Sequence, residues 1–113
     1  MGIQIWAAKG YDSQKALRYF QERRIPVQRI DLLRYGIGRR ELESVRARVG
    51  LDALIDRAGP AFAASPIRFS DREDLIFQAL LDEPRLLRAP IVRNGKLATV
   101  GYRPDAWDAW PNL

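Results

Sequence analysis

Trp6-Ala7-Ala8-Lys9-Gly10-Tyr11-Asp12-Ser13-Gln14-Lys15 joins two kinds of hydrophobic pattern. Ahead of it, Ile3, Ile5 and Trp6 form a short apolar run of strand character. Behind it, Ala16, Leu17, Tyr19 and Phe20 recur at helical spacing. The junction therefore reads as a strand-to-helix turn. In many α/β domains that turn is the functional one, because the loop and the first free N–H groups of the helix converge there on an anion or a thiol. Here it offers Gly10, Tyr11, Asp12, Ser13 and Lys15, and no cysteine.

Working outward, the spacing predicts a strand over Ile3 to Ala7 and a helix from Asp12 or Ser13, either of which can cap it, to Arg23. Arg24, Ile25 and Pro26 break that helix, and Val27 to Leu32 alternates as a second strand. Tyr35 to Gly38 is a turn, and Gly38 with Glu41 three residues on marks a helix whose inner face carries Leu42, Val45 and Val49, closed by Gly50. Leu51 to Arg57 reads as another short helix, and Ala58 to Phe69, with Gly59, Pro60 and Pro66, as loop. Ser70-Asp71-Arg72-Glu73 has the pattern of a capping box opening a helix to Leu81 that buries Leu75, Ile76, Ala79 and Leu80. Ala89 to Val92, the turn Arg93-Asn94-Gly95-Lys96 and Leu97 to Tyr102 then read as a hairpin, with Asn94 and Gly95 supplying positive φ. Pro104 starts a last short helix, on which Trp107 and Trp110 can cover one face of the sheet.

The chain of 113 residues is the length of one domain, 1–113, and its 47% hydrophobic and 29% charged residues are in globular balance. No run is long enough for a membrane span, and Met1-Gly2 leads straight into the first strand, so a cytoplasmic protein is expected. There is neither cysteine nor histidine. Disulfides, thiolate nucleophiles and cysteine metal sites are thereby excluded, zinc loses its usual ligands, and acid–base work would fall to carboxylates, lysine or tyrosine. The net charge is +5, with 11 basic and 5 acidic residues in 1–50 against 8 and 9 in 51–113. The arginines of the basic half are interspersed with Glu22, Asp31, Glu41 and Glu43, the pattern of a solvated surface. Nucleic acid is disfavoured as a partner, since charge alone speaks for it.

Six strings occur in an order that resembles the arsenate-reductase-like family of thioredoxin folds, which also contains Spx-type regulators. They are Lys15-Ala16-Leu17-Arg18-Tyr19-Phe20 with Glu22-Arg23-Arg24-Ile25-Pro26, Asp31-Leu32, Arg40-Glu41-Leu42, Val49-Gly50-Leu51-Asp52-Ala53-Leu54-Ile55-Asp56, Pro84-Arg85-Leu86-Leu87-Arg88-Ala89-Pro90, and Val100-Gly101-Tyr102. The resemblance implies an α/β fold with a thioredoxin-like mixed sheet, ordered β-α-β, helical insertion over about 38–81, then β-β-α. It implies a cis proline at Pro90. It places the family's catalytic cysteine at Gly10, the second thiol at Ser13 and the oxyanion-holding arginine at Ala89, so no catalytic residue is expected. Gly10, Ser13, Lys15, Arg88 and Pro90 are the candidate ligand-binding residues, with Lys9, Arg57 and Arg103 as further cations near the turn. The plainer reading makes Lys15 and Arg88 surface charges and Asp12 or Ser13 a helix cap. The expected function is a non-catalytic protein-interaction or regulatory module without a cofactor. The alternatives are an anion- or glutathione-binding protein and a degenerate reductase; the partner is another protein, a small anion or glutathione, and no membrane.

Overall fold

Ile3–Ala7 forms β1, and its side chains divide by the two-residue period of a strand. Ile3, Ile5 and Ala7 face one core, while Trp6 faces the other. The computed structural model describes residues 2–111. In it β1 is followed by α1 (Tyr11–Glu22), β2 (Val27–Asp31), α2 (Leu32–Tyr35), α3 (Arg39–Val49), α4 (Pro60–Ala63), α5 (Glu73–Asp82), β3 (Ile91–Asn94), β4 (Leu97–Val100) and α6 (Pro104–Asp108). Short 3-10 turns lie at Asp52–Leu54, Pro66–Phe69 and Pro84–Leu86.

The strands form one sheet in the order β2-β1-β3-β4. β1 and β2 are parallel, from Ile3 opposite Val27 to Ala7 opposite Asp31, and the crossover between them is α1. β3 runs antiparallel to β1 and β4 antiparallel to β3. This is the mixed sheet and element order that the resemblance implied.

One face of the sheet is covered by α1 and α6. Ala16, Tyr19 and Phe20 of α1 pack with Ile3, Ile5, Val92 and Trp107, at roughly 1.5–3 kcal/mol for each large side chain removed from water. Trp107 is fully buried, its ring centroid 5.0 Å from those of Tyr19 and Phe20, and its indole N–H donates to Thr99 Oγ1 at 2.8 Å. Tyr19 donates its hydroxyl hydrogen to Asp108; burial and then that carboxylate raise the phenol pKa. The other face is covered by the helices between β2 and β3, through Leu42 and Val45 of α3, Leu54, and Ile76, Phe77 and Leu80 of α5, around Trp6, Ile91 and Val100.

Several local expectations are corrected. The Ser70 capping box does not form: α5 begins at Glu73 after Arg72, and the Ser70 hydroxyl accepts from the Arg72 N–H at 3.1 Å, a tight turn two residues long. The buried stripe is Ile76, Phe77 and Leu80, so Phe77 is buried and Leu75 is 48% exposed, and the expectation for Leu75 is corrected. β2 stops at Asp31 because the Asp31 carboxylate accepts from Arg34 N–H at 3.3 Å and starts α2, which takes in Tyr35. The segment 51–57 shortens to one 3-10 turn, and Ile55 bridges to Leu87. The stretch 58–69 is not loop throughout: Pro60 opens α4, and the Ser65 hydroxyl accepts from Ile67 N–H at the second 3-10 turn. In the hairpin Asn94 pairs with Leu97, so the turn is Gly95-Lys96 and positive φ falls on Gly95 (61°) and not on Asn94. Among the described residues no helix is long and apolar enough to cross a membrane.

Candidate functional site

Ala8, Lys9 and Gly10 link β1 to α1. Gly10 has φ 131° and ψ 168°, a region that side chains of L-residues scarcely enter, and its carbonyl accepts the first helical hydrogen bond from Gln14 N–H at 3.2 Å. Beyond Gly10 and its two chain neighbours no heavy atom lies within 4 Å of where a Cβ would stand, so the position is restricted by backbone conformation and not by space.

Neither Asp12 nor Ser13 caps the helix, which corrects that expectation. A cap precedes the first turn, whereas Ser13 lies inside it on the inner face. Its side chain is 3% exposed, and its Oγ accepts from Ala8 N–H at 3.0 Å. The hydroxyl therefore holds the loop back on its own helix. The chain has no histidine, and among the described residues no side-chain base is hydrogen-bonded to this hydroxyl.

The Ala89–Pro90 peptide is cis, as the resemblance implied. Pro90 is fully buried, and its carbonyl accepts from Gly101 N–H at 2.8 Å. Ala89 and the loop residues Ala8 and Lys9 do meet: they share the wall of an 840 Å³ groove that runs to α4 and the Pro84–Leu86 turn. Its remaining walls are mainly apolar, among them Leu33, Ala61 and Leu87. At Ala89, the position to which the resemblance assigns the family's arginine, the groove wall carries a methyl group. Glu83, at the far rim, is held down to about pKa 2 by the Arg85 guanidinium and then by the Arg85 N–H.

The candidate cations do not gather around the loop. Lys9 lines the groove. Lys15 lies 5.7 Å from the Tyr102 ring, in a separate cleft with Arg18, Arg23 and Pro104. The Arg88 guanidinium lies beside Gly101, 3.6 Å from where a Cβ would stand, and its backbone N–H donates to Leu54. Arg57 is paired with Asp52 at 2.5 Å and Arg103 with Asp105 at 3.1 Å. Among the described residues no group of three or more acidic side chains is arranged to hold a metal ion.

Sequence reading passed over Leu33 and Arg34, which α2 brings beside the loop, and the groove itself. The signal for α2 was Asp31 itself, a residue type that caps helices through the backbone N–H three residues on, at a turn too short to show a period.

Comparison with known proteins follows the same outline. A YffB protein of solved structure superposes with a TM-score of 0.80 at 25% identity, over 95% of this chain and 96% of that one. An arsenate reductase from Vibrio cholerae superposes at 0.82 with 23% identity, over 95% and 94%. An arsenate reductase (ArsC) related protein from Brucella melitensis gives 0.69 with 22% identity, over 100% and 97%. The last two likenesses are of fold. No curated protein matches the chain. The ArsC family matches residues 7–110, nearly the full length, and with no cysteine in the sequence the chain belongs to the arsenate-reductase-like ArsC family as a cysteine-free member.

Proposed function

We propose that this chain is a non-catalytic ArsC-family module that works by binding a partner protein. The observation that carries the reading is the state of the thiol loop. The position assigned to the nucleophile is a glycine at φ 131°, the hydroxyl at the second thiol position is engaged by Ala8, and there is no cysteine elsewhere to take over. Reduction of arsenate through a thiol needs the electron pair of a cysteine thiolate, and this chain has no cysteine to give it. What remains is a groove between loop and helical insertion, its walls mainly apolar with Asp56, Asp82, Glu83 and Arg85 among them, and laying an amphipathic segment into such a groove is one of the recurring modes of protein recognition.

An amide-resolved NMR titration with arsenate, phosphate and glutathione tests the reading, followed at residues Lys9 to Lys15 and Ala89 to Arg93. The expected result is no saturable shift up to millimolar ligand. It is paired with a photo-crosslinking residue placed in vivo at Ala61 in the groove, which is expected to give a discrete adduct that the same residue at the exposed Lys96 does not. Saturable shifts confined to the two segments would replace this reading with the anion- or glutathione-binding one. Arsenate turnover supported by glutathione would overturn the non-catalytic reading.

A further inference from the structure

Because β1 and β2 are parallel neighbours, their C-terminal ends deliver the starts of α1 and α2 to the same edge of the sheet. A cleft of 490 Å³ opens between them, separate from the groove described above except for Ala8, Lys9 and Leu33. Lys9 from the loop, Arg29 from β2 and Arg34 from α2 line it, with Asp31 as its one carboxylate, so three positive charges against one negative leave it at +2.

All three cations are exposed, and among the described residues none has a carboxylate within 4.0 Å. Elsewhere Arg46, Arg57, Arg72, Arg85 and Arg103 each sit against an acid. Asp31, the carboxylate present in the cleft, accepts from the Arg34 N–H and serves as the α2 cap. The positive charge here is thus left unspent by the fold.

Apolar surface lies beside that charge. Leu33 lines the cleft and is 48% exposed. Tyr35 is 69% exposed, and the Arg34 guanidinium stands 5.2 Å from the centre of its ring. Arginine with exposed tyrosine and leucine is the composition of protein-recognition surfaces, in which charge steers the encounter and apolar contact holds it. A small anion is served differently, by donors fixed and partly buried around one point, whereas these three cations come from separate exposed side chains.

We infer that the cleft between α1 and α2 receives an acidic segment of the partner protein, its carboxylates on Lys9, Arg29 and Arg34 and an apolar side chain of the segment against Leu33 and Tyr35. The inference rests on the protein-binding reading above and names the chemistry of the partner.

The test is fluorescence anisotropy with the full chain and a fluorescein-labelled peptide of repeated Glu-Leu-Glu, beside its Gln-Leu-Gln and Glu-Gly-Glu counterparts. The Glu-Leu-Glu peptide is expected to bind saturably, and both counterparts to bind at least about tenfold more weakly. The double charge reversal Arg29→Glu with Arg34→Glu weakens it at least about tenfold, while Arg18→Glu, in the separate cleft beside Lys15, leaves it within about twofold. All three substitutions are at exposed positions, and circular dichroism confirms that each variant is folded.

Flat anisotropy, or equal loss in the Arg18→Glu variant, overturns the inference. So does binding of Glu-Gly-Glu as tight as that of Glu-Leu-Glu, displacement by inorganic phosphate at millimolar concentration, or tighter binding of a labelled oligothymidylate, which would point to a nucleic acid. A photo-crosslinker moved to Gln14, which is exposed and lines the cleft but not the groove, separates the two claims. An adduct from Ala61 with none from Gln14 leaves the module reading standing and removes this one, and loss of both adducts removes the module reading as well.

Discussion

Replacing Gly10 by alanine isolates the conformational demand of the vacated loop. Gly10 sits at φ 131°, ψ 168°, and an added Cβ meets no heavy atom within 4 Å beyond Gly10 and its two chain neighbours, so the whole native-state cost is backbone strain, about 1–3 kcal/mol. Losing the freedom of glycine in the unfolded chain returns about 0.4–1 kcal/mol. The net loss is then about 1 kcal/mol, a fall in Tm of about 5 °C for a chain of this size. D-alanine provides the control. For a D-residue these angles are the mirror image of ordinary extended backbone, so strain vanishes while the unfolded-state gain remains. The D-epimer is expected to melt at or slightly above the parent, about 2 kcal/mol above the L-epimer. A synthetic segment covering residues 1–15 can be ligated to a recombinant remainder begun at Ala16 as cysteine, which is then desulfurised to the native alanine. With no other cysteine in the sequence, the chemistry is unambiguous. Differential scanning calorimetry reads the result, and epimers that melt together would refute the argument. Gly10→Cys carries the same strain as Gly10→Ala, so a thiol introduced there costs stability before it does any chemistry.

Three further outcomes follow from packing and charge. Thr99→Val keeps the shape of the core but leaves the buried Trp107 indole N–H without its acceptor, and urea denaturation should show a loss of about 1–3 kcal/mol. Ser70→Ala should change stability by less than about 0.5 kcal/mol, because Ser70 does not cap α5; a loss near 1 kcal/mol in the same measurement would restore the capping box. The Glu83 carboxyl is lowered from 4.5 to about 2 by its hydrogen bonds to Arg85, so its contribution is full above pH 4.5 and drains away as pH falls from there toward 2. Its side chain is 39% exposed, which limits that contribution to about 1 kcal/mol. Glu83→Gln should flatten the stability–pH curve in that window alone, and a difference that grows above pH 5 would contradict the assignment.

Period-based reading worked where one side chain pattern has one meaning. Ile3 and Ile5 facing α1, with Ala16 and Phe20 meeting them from the helix, follow from spacing alone. It slipped where several apolar residues are adjacent. Leu75-Ile76-Phe77 fits more than one helical phase, and packing against the rest of the core decides that Phe77 goes inward, where the guanidinium of Arg46 comes to 5.2 Å from its ring. The loop was legible as a turn, and Gly10 as its special residue. The role of Ser13 was not, since the same residue types that cap a helix also tie a loop from inside its first turn. The groove left no mark in the sequence: Ala8, Ala61 and Ala89 are small residues from distant segments, and nothing about each alone says that they share a wall.

The sheet, finally, places an optical reporter on each of its faces. Trp6 is buried among the helical insertion and Trp107 on the side of α1, where Trp110 packs beside it. Emission from a variant that keeps Trp6 alone follows the loosening of the insertion, and one that keeps Trp107 alone follows the strand-helix-strand half. Coincident denaturation curves would make the protein one cooperative unit, and separated curves would show the insertion opening while the thioredoxin-like half of the sheet stays shut.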